Sequence, residues 1–223
     1  MPIQDGWLDF IRLETVVKTK GCRLIVFAKA PIPGQVKTRL IPSMGATAAA
    51  ALHEKLVFHC LARAVDAGVG PIDLWCSPTT GHPFFIHCSM QFQIELHTQP
   101  DGDLGLRMGL AFNNTLERAS SALLIGTDCP SLTQTDLREA SEVFMQGVDA
   151  VIGPAEDGGY VLLGLRQYNP ELLTDISWGT ESVLNQTRSR LRRLGWRWHE
   201  LPERWDVDRP EDIERLIREG YFT

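Results

Sequence analysis

The chain has 223 residues and a formal net charge of −6, with 43% hydrophobic and 22% charged residues. This length and composition are typical of one large globular domain with a full core, and the negative charge argues against non-specific binding to nucleic acid or acidic membranes. The longest apolar runs, such as residues 121–126, are too short to cross a bilayer.

The first residues lack the charged start, apolar stretch and cleavage site of a secretion signal. Five cysteines occur at irregular spacings without a C-x-x-C pair, which predicts reduced thiols and a cytoplasmic protein. Cys129 follows an acidic residue at a predicted strand end and could be a nucleophile. No histidine is obviously placed in the sequence to activate it, so an inert thiol is the favoured interpretation.

Strand and helix signals alternate along the chain. In chain order we predict a strand over 23–28, a helix over 46–67, strands over 72–76 and 92–97, a helix over 104–118, a strand over 122–126, a helix over 133–146 with Thr133 as its cap, strands over 150–153 and 160–165, a helix over 181–194, a strand over 196–201 and a helix over 210–218. Residues 78–90 are irregular or a short helix.

This alternation predicts a three-layer α/β/α architecture with a mainly parallel sheet, in which ligands bind at the carboxyl ends of the strands. Residues 22–223 are expected to form one domain, preceded by an N-terminal extension over residues 1–21. Trp7, Leu8 and Ile11 in that extension are consistent with a short helix packed on the domain.

A basic loop follows the first predicted strand. Lys29, Lys37 and Arg39 flank Gly34, whose backbone can approach a ligand closely, so the loop and Ala28 are predicted to bind nucleotide phosphates. The three cations are also the candidate catalytic residues. The alternative is a solvated basic loop, because neither the G-x-x-x-x-G-K-[ST] nor the G-x-G-x-x-G spacing is present.

Carboxylates follow three later strands. Asp128 is a metal ligand or a turn former, and the segment from Glu156 and Asp157 to the paired glycines Gly158 and Gly159 is a ligand-binding loop or a plain hairpin turn. The candidate metal ligands are Asp128, Asp206 and Asp208, and their hard oxygens suit Mg²⁺ or Mn²⁺. Asp206 and Asp208 share one face of an extended segment, although Asp208 could instead cap the last helix.

Five segments carry a resemblance that runs over about residues 22–218. FAKAPIPGQVKTRL, DGDLGLRM, GTDCPSL, GPAEDGGYVLLGL and WDVDRPEDIERL resemble, in this order, a bacterial family of glycosyltransferase-A-like proteins. That family is similar to 2-phospho-lactate guanylyltransferases and, more distantly, to molybdenum-cofactor guanylyltransferases and nucleotide-diphospho-sugar transferases.

The resemblance implies the nucleotide-diphospho-sugar transferase fold, with the first loop over the nucleotide. It places Asp128 on the metal-binding Asp after the central strand, and Asp206 and Asp208 on the later Asp-x-Asp pair. The loop lacks the Gly-Gly of sugar-phosphate nucleotidyltransferases, and the Asp128 segment is not the D-x-D of many glycosyltransferases. The base-recognition scheme of the former therefore does not transfer, and sugar transfer loses support.

Three functions remain open. A nucleotidyltransferase, slightly favoured, would join an NTP to a small phosphorylated or carboxylated acceptor and release pyrophosphate. A glycosyltransferase would use an NDP-sugar, with its acceptor or sugar contacting residues among Asp103, Arg107, Glu156, Asp157, Gly158 and Gly159. A non-catalytic nucleotide-binding module is the third. Trp178 and Trp205 could contact the base or acceptor, although buried packing is favoured for both.

Overall fold

The structure is a computed structural model and describes residues 19–221. The predicted short helix containing Trp7, Leu8 and Ile11 lies outside the described residues. The first strand, β1, spans Thr19–Lys29 and therefore begins before the predicted residue 23. Its side chains alternate between the two faces of the sheet. Leu24 and Val26 belong to the core on one face, and Ile25 belongs to the core on the other.

The sheet has seven strands in the order β3-β2-β1-β4-β6-β5-β7. The remaining strands are β2 (Ile72–Ser77), β3 (Glu95–Thr98), β4 (Ala119–Gly126), β5 (Ala150–Pro154), β6 (Tyr160–Leu165) and β7 (Trp198–Glu200). β6 runs antiparallel to its neighbours β4 and β5, whereas the other pairs are parallel. The predicted mainly parallel sheet is confirmed.

Helices cover both faces of the sheet. They are α1 (Ile41–Met44), α2 (Ala46–Ala67), α3 (Pro83–Phe92), α4 (Leu104–Leu116), α5 (Gln134–Glu142), α6 (Val183–Arg193) and α7 (Pro210–Arg218). Buried residues of α2, α3 and α5 pack on one face, and those of α4 and α6 pack on the other. The predicted three layers are confirmed, and the architecture is the nucleotide-diphospho-sugar transferase fold.

Element boundaries differ from the sequence prediction where a helix meets a strand. The predicted strand over 92–97 begins only at Glu95, because α3 continues through Phe92 and Gln93 then takes a left-handed conformation with φ of 54°. α5 ends at Glu142 and continues as a 3-10 turn over Val143–Gln146. Thr133 caps α5 as predicted, in a capping box with Asp136.

The carboxyl ends of β1 and β4 meet at the centre of the sheet. Phe27 of β1 pairs with Gly126 of β4, so Lys29, the last residue of β1, and Asp128, two residues after β4, lie at the same edge. Parallel strands next to each other place their following loops together, and the two central loops therefore form one site. The described residues contain no helix that is long and apolar enough to span a bilayer.

Candidate functional site

A cavity of about 410 Å³ lies at this edge, and we call it the nucleotide cavity. Its walls come from the ends of β1 and β4, the basic loop, α2 and α4. It is lined by Phe27, Ala28, Lys29, Gln35, Val36, Lys37, Thr38, Arg39, His53, Gln99, Leu104, Arg107, Gly126, Thr127, Asp128 and Asp208. Of the residues predicted to bind phosphates, all but Gly34 line it; Gly34 shapes the loop, with φ of 85°.

Lys37 is the buried centre of the site. Its side chain is only 4% exposed, and its ammonium lies 2.6 Å from Asp128 Oδ1. The same ammonium donates a hydrogen bond of 2.6 Å to the backbone carbonyl of Val207, between the two aspartates of the Asp-x-Asp pair. Lys37 therefore joins the basic loop to both acidic segments, and two of its three donors are occupied.

One carboxylate oxygen of Asp128 lies against Lys37, and the other is open to the cavity. Its Oδ1 is fully buried, whereas half of the side chain is exposed, so Oδ2 faces the cavity. Burial opposes its ionisation, but the Lys37 ammonium, together with His53, keeps the pKa of this carboxyl well below its ordinary value. Asp128 thus offers a charged oxygen to a ligand across a broad pH range.

His53, on α2, lies beside the same carboxylate. Its Nε2 donates a hydrogen bond of 3.0 Å to the carbonyl oxygen of Lys29, since a carbonyl oxygen can only accept one. Nδ1 lies 3.7 Å from Asp128 Oδ1 and has no hydrogen-bond partner among the described residues. His53 was not predicted as a site residue, because a single histidine in an alanine-rich helix carries no signal that it will lie beside Asp128 in a distant loop.

Asp206 and Asp208 extend the acidic side of the site, and their side chains have different surroundings. Asp208 forms an ion pair with Arg39, and Asp212 rather than Asp208 accepts the backbone amides at the start of α7. The capping alternative for Asp208 is therefore wrong. Burial and the nearby carboxylates Asp157 and Asp128 raise the pKa of Asp206 to about 6.

A second cavity of about 510 Å³ adjoins the first, and we call it the acidic cavity. Arg39 and Asp208 line both cavities, so this ion pair lies at their junction. Residues of the β5–β6 hairpin, Glu156 and Asp157, form one wall. The hairpin alternative is thus correct in geometry, and its turn also faces a cavity.

The hairpin turn is braced from both sides. Glu156 accepts two hydrogen bonds from Arg215 of α7, at 2.8 and 3.1 Å, and Asp157 Oδ1 accepts one from the Gly159 amide at 2.8 Å. Gly158 has φ of 85°, and a Cβ on it would lie 2.3 Å from the carbonyl oxygen of Glu181. Only glycine fits this close approach.

The remaining predicted acceptor residues are separated from the hairpin. Arg107 lines the nucleotide cavity and donates to Gln99 Oε1 at 3.0 Å, while the Gln99 amide donates to the carbonyl of Ala28 at 3.3 Å. Asp103 instead caps α4 by accepting from the Leu106 amide at 2.8 Å. Arg107 is therefore placed beside the nucleotide cavity and not beside the acidic cavity.

Carboxylates near the junction of the two cavities suit a divalent cation. The half-exposed Asp128 lines the nucleotide cavity, and the Asp206 anion in the acidic cavity is disfavoured by burial and by the nearby carboxylates Asp157 and Asp128, whose repulsion a cation would relieve. Magnesium commonly takes one or two protein carboxylates and completes its shell with phosphate and water oxygens. Asp128, Asp206 and Asp208 do not form a compact three-ligand group among the described residues.

One group within the described part of the chain does bring three ligand atoms within 4.8 Å of one another, namely Asp73, Glu95 and His97. It lies near the amino ends of β2 and β3, at the opposite edge of the sheet. Arg23 contacts both Asp73 oxygens, at 3.1 and 2.6 Å, and Arg118 contacts Glu95 at 3.0 Å. Because two guanidinium groups already neutralise these carboxylates, an ionic network explains the group better than a metal site.

For Cys129, Trp178 and Trp205 the structure agrees with the interpretations favoured from the sequence, namely an inert thiol and packing. Burial raises the pKa of the Cys129 thiol to about 11, so the thiolate needed for nucleophilic attack is scarce at neutral pH. Trp205 is buried and its ring lies 4.4 Å from the Arg215 guanidinium, while Trp178 packs against Tyr160. The rings contribute mainly packing area.

Comparison with solved structures identifies the fold. A protein from Desulfovibrio desulfuricans G20, described as a "putative nucleotide-diphospho-sugar transferase", superposes with a TM-score of 0.82 at 28% identity, covering 92% of this chain and 90% of that one. CMP:2-keto-3-deoxy-manno-octonic acid synthetase complexed with CTP gives 0.58 at 11% identity, covering 88% and 97%. A Mycobacterium tuberculosis H37Rv protein (Rv0371C) in complex with manganese gives 0.57 at 17% identity, covering 89% and 98%.

Similarity at the sequence level is narrower. No curated protein matches the chain. Residues 60–180, more than half of the chain, match a bacterial protein family that has no assigned activity. The chain therefore belongs to the family described as "Uncharacterized protein conserved in bacteria (DUF2064)".

Proposed function

We propose that the protein is a divalent-metal-dependent transferase that binds the diphosphate of an NDP-sugar in the nucleotide cavity and transfers the sugar to an acceptor in the acidic cavity. The observation that carries this proposal is the pair of adjoining cavities: Lys29, Arg39, Arg107 and Asp128 line the nucleotide cavity, and Asp206 lines the acidic cavity next to it. Diphosphate departure requires cations on its oxygens and a carboxylate-held metal beside them.

Lys29 and Arg39 are the cations best placed to contact phosphates. Lys29 is exposed at the end of β1, and the Arg39 side chain is 65% exposed. Arg39 can exchange its exposed partner Asp208 for a phosphate at little cost, since exposed ion pairs contribute about 0–1 kcal/mol. Lys37, predicted from the sequence as a third phosphate ligand, is the buried partner of Asp128 and is proposed to position that carboxylate.

Asp128 and Asp206 would hold Mg²⁺ or Mn²⁺, and the mycobacterial neighbour was solved with manganese. When bound, the ion supplies positive charge to the diphosphate leaving group. Of Glu156 and Asp157, Asp157 is the better candidate for a general base, because both oxygens of Glu156 are held by Arg215, whereas Asp157 has one oxygen without a hydrogen-bond donor among the described residues.

Nucleotidyl transfer is the second candidate. It is favoured by the three cations Lys29, Arg39 and Arg107 around one cavity, which suit the extra charge of a triphosphate. The burial of Lys37 weakens it, because the Lys37 ammonium is engaged by Asp128 and the Val207 carbonyl. The similarity at 28% identity to a protein described as a nucleotide-diphospho-sugar transferase also favours the sugar donor. No observation favours a non-catalytic module.

Calorimetry with matched NTP, NDP and NDP-sugar ligands of each base tests the proposal. We expect binding that requires Mg²⁺ or Mn²⁺, with an NDP-sugar tightest, and a loss of about tenfold or more in Asp128→Asn, which keeps the side-chain shape but removes the charge. Glu117→Gln, an exposed change at the far end of α4, is the control. Tightest binding of an NTP with release of pyrophosphate would establish the second candidate, and metal-independent binding would reject both.

A further inference from the structure

The charges that line the acidic cavity define what it accepts. Its carboxylates are Glu156, Asp157, Glu181, Asp206, Asp208 and Asp212, and its cations are Arg39 and Arg209. Carboxylates thus outnumber cations by three to one. A single divalent ion at the junction leaves the lining negative, since six negative charges face two positive ones and the two charges of the ion.

Local pairing leaves three of the six carboxylates without a basic side-chain partner or the amides of a helix start. Arg215 neutralises Glu156, Arg39 neutralises Asp208, and the Asp212 carboxylate accepts the amides at the start of α7. The other three, as far as the described residues go, are Asp157 on the hairpin, Glu181 on the loop before α6 and Asp206 after β7.

We infer that the acceptor is an uncharged, polyhydroxylated molecule, such as a sugar or polyol, and not a phosphorylated or carboxylated one. The inference rests on the proposed function, whose acceptor site is this cavity. Carboxylate oxygens accept hydrogen bonds from hydroxyl groups, whereas an anionic group would be repelled by Asp157 and Glu181, which both line the cavity. A cationic acceptor is disfavoured at the junction with the nucleotide cavity, because Arg39 and the proposed metal ion would repel it there.

The transfer step is consistent with this chemistry. The acceptor hydroxyl oxygen forms a bond to the anomeric carbon of the donor sugar, and its proton passes to the Asp157 carboxylate. The bond between the anomeric carbon and the diphosphate oxygen breaks, and its electron pair leaves with the NDP. No further reactant is required. The reacting hydroxyl also does not need a charged group elsewhere in the acceptor.

A panel of matched acceptors tests the inference on the full chain, with Mg²⁺ and the NDP-sugar selected by calorimetry. The panel pairs neutral hexoses, pentitols and inositol with their phosphate esters and their sugar acids, and NDP release is measured. We expect the neutral member of each pair to react at least about tenfold faster, the ratio that about 1.4 kcal/mol of repulsion produces.

Two variants separate cavity charge from net charge. Glu181→Lys reverses an exposed carboxylate of the cavity that is not a proposed metal ligand, and Glu117→Lys makes the same change of net charge on the far side of the molecule. Glu181→Lys should reduce the neutral-to-anionic ratio at least about threefold, whereas Glu117→Lys should leave it unchanged.

Faster reaction of the anionic members, or an equal ratio in Glu181→Lys and Glu117→Lys, would overturn the inference. So would the absence of transfer to every neutral member while the metal–donor complex still forms. Failure of that complex to form is a separate result, because it removes the proposed function itself and is detected by calorimetry before any acceptor is added.

Discussion

Lys37 illustrates how one residue can organise a site without being its most exposed cation. Its backbone is in the left-handed region with φ of 47°, an uncommon conformation for a lysine, and its ammonium is inserted between Asp128 and the carbonyl of Val207. The conformation and the two contacts favour the same position of the side chain. The buried ammonium is thereby held where it keeps Asp128 ionised.

Lys37→Met should lower the free energy of unfolding by about 2 kcal/mol, because it removes charged hydrogen bonds and leaves buried oxygens unpaired. Lys29→Met, at an exposed lysine of the same cavity, should change it by no more than about 0.5 kcal/mol. Urea denaturation of both variants measures the difference. Equal stabilities would show that the Lys37 contacts contribute nothing to folding.

Backbone conformation and close approach can be separated at two glycines. Gly158 and Gly179 have φ of 85° and 76°, but a Cβ would meet the Glu181 carbonyl only at Gly158, and open space at Gly179. Gly179→Ala should cost about 1 kcal/mol for the left-handed backbone alone. Gly158→Ala should cost clearly more, because the hairpin must also move away from Glu181.

Thermal denaturation of the two alanine variants gives this comparison directly. If they are equally destabilised, then the hairpin and the loop before α6 are not packed as closely as the 2.3 Å approach of a Cβ requires. A displaced hairpin should also weaken acceptor use in Gly158→Ala more than nucleotide binding, because its turn lines only the acidic cavity.

At the scale of elements, the start of α5 is tied to the segment that carries the late aspartates. Asp136 is buried, accepts the Thr133 amide at 2.7 Å, and accepts two hydrogen bonds from Arg204 at 2.9 and 2.6 Å. Arg204 directly precedes Trp205 and Asp206. The tie therefore couples the position of α5 to that of the segment carrying Asp206 and Asp208.

This tie predicts a pH dependence of stability. Burial opposes ionisation of Asp136, but the hydrogen bonds from Arg204 and Thr133 lower its pKa below the ordinary value. A lowered pKa in the folded state stabilises the protein at pH values above the unfolded pKa, and the contribution is lost as the pH falls through the folded pKa.

Asp136→Asn should therefore lose about 3 kcal/mol at neutral pH, and the difference from wild type should shrink below about pH 4. Urea denaturation between neutral and acidic pH measures it, with the exposed Asp101→Asn as control. A difference that is independent of pH would show that shape, and not charge, is what Asp136 contributes.

At the scale of the whole molecule, the cysteines are small hydrophobes of one core, on the face of the sheet covered by α2, α3 and α5. All five are free; Cys22, Cys60, Cys76 and Cys88 are buried, and Cys129 is partly buried. Burial raises the pKa of Cys60 to about 12.

An aromatic disulfide reagent should therefore react with at most one thiol, Cys129, in the native protein and with all five after unfolding. The absorbance of the released thiolate counts the reacted groups, and Cys129→Ser should abolish the native reaction. Rapid reaction of two or more thiols in the native state would contradict the close packing of the core.

The order of the elements and the edge that carries the site follow from the sequence alone. Continuous apolar runs predicted β1 and β4, the Thr133 cap predicted the start of α5, and the parallel direction of strands that are joined by helices then placed Lys29 and Asp128 at one edge. These features depend on neighbouring residues and on rules that hold for any chain of this class.

Only the tertiary structure decided what each polar side chain of the site does. Lys37 contacts Val207, 170 positions away, and Arg39 contacts Asp208, 169 positions away, so their roles depend on how distant segments meet. His53 reaches Asp128 from a helix whose sequence carries no trace of that contact. Local pattern specifies which face or edge a residue occupies, whereas burial and the choice between competing charged partners arise only when the packed chain brings those partners together.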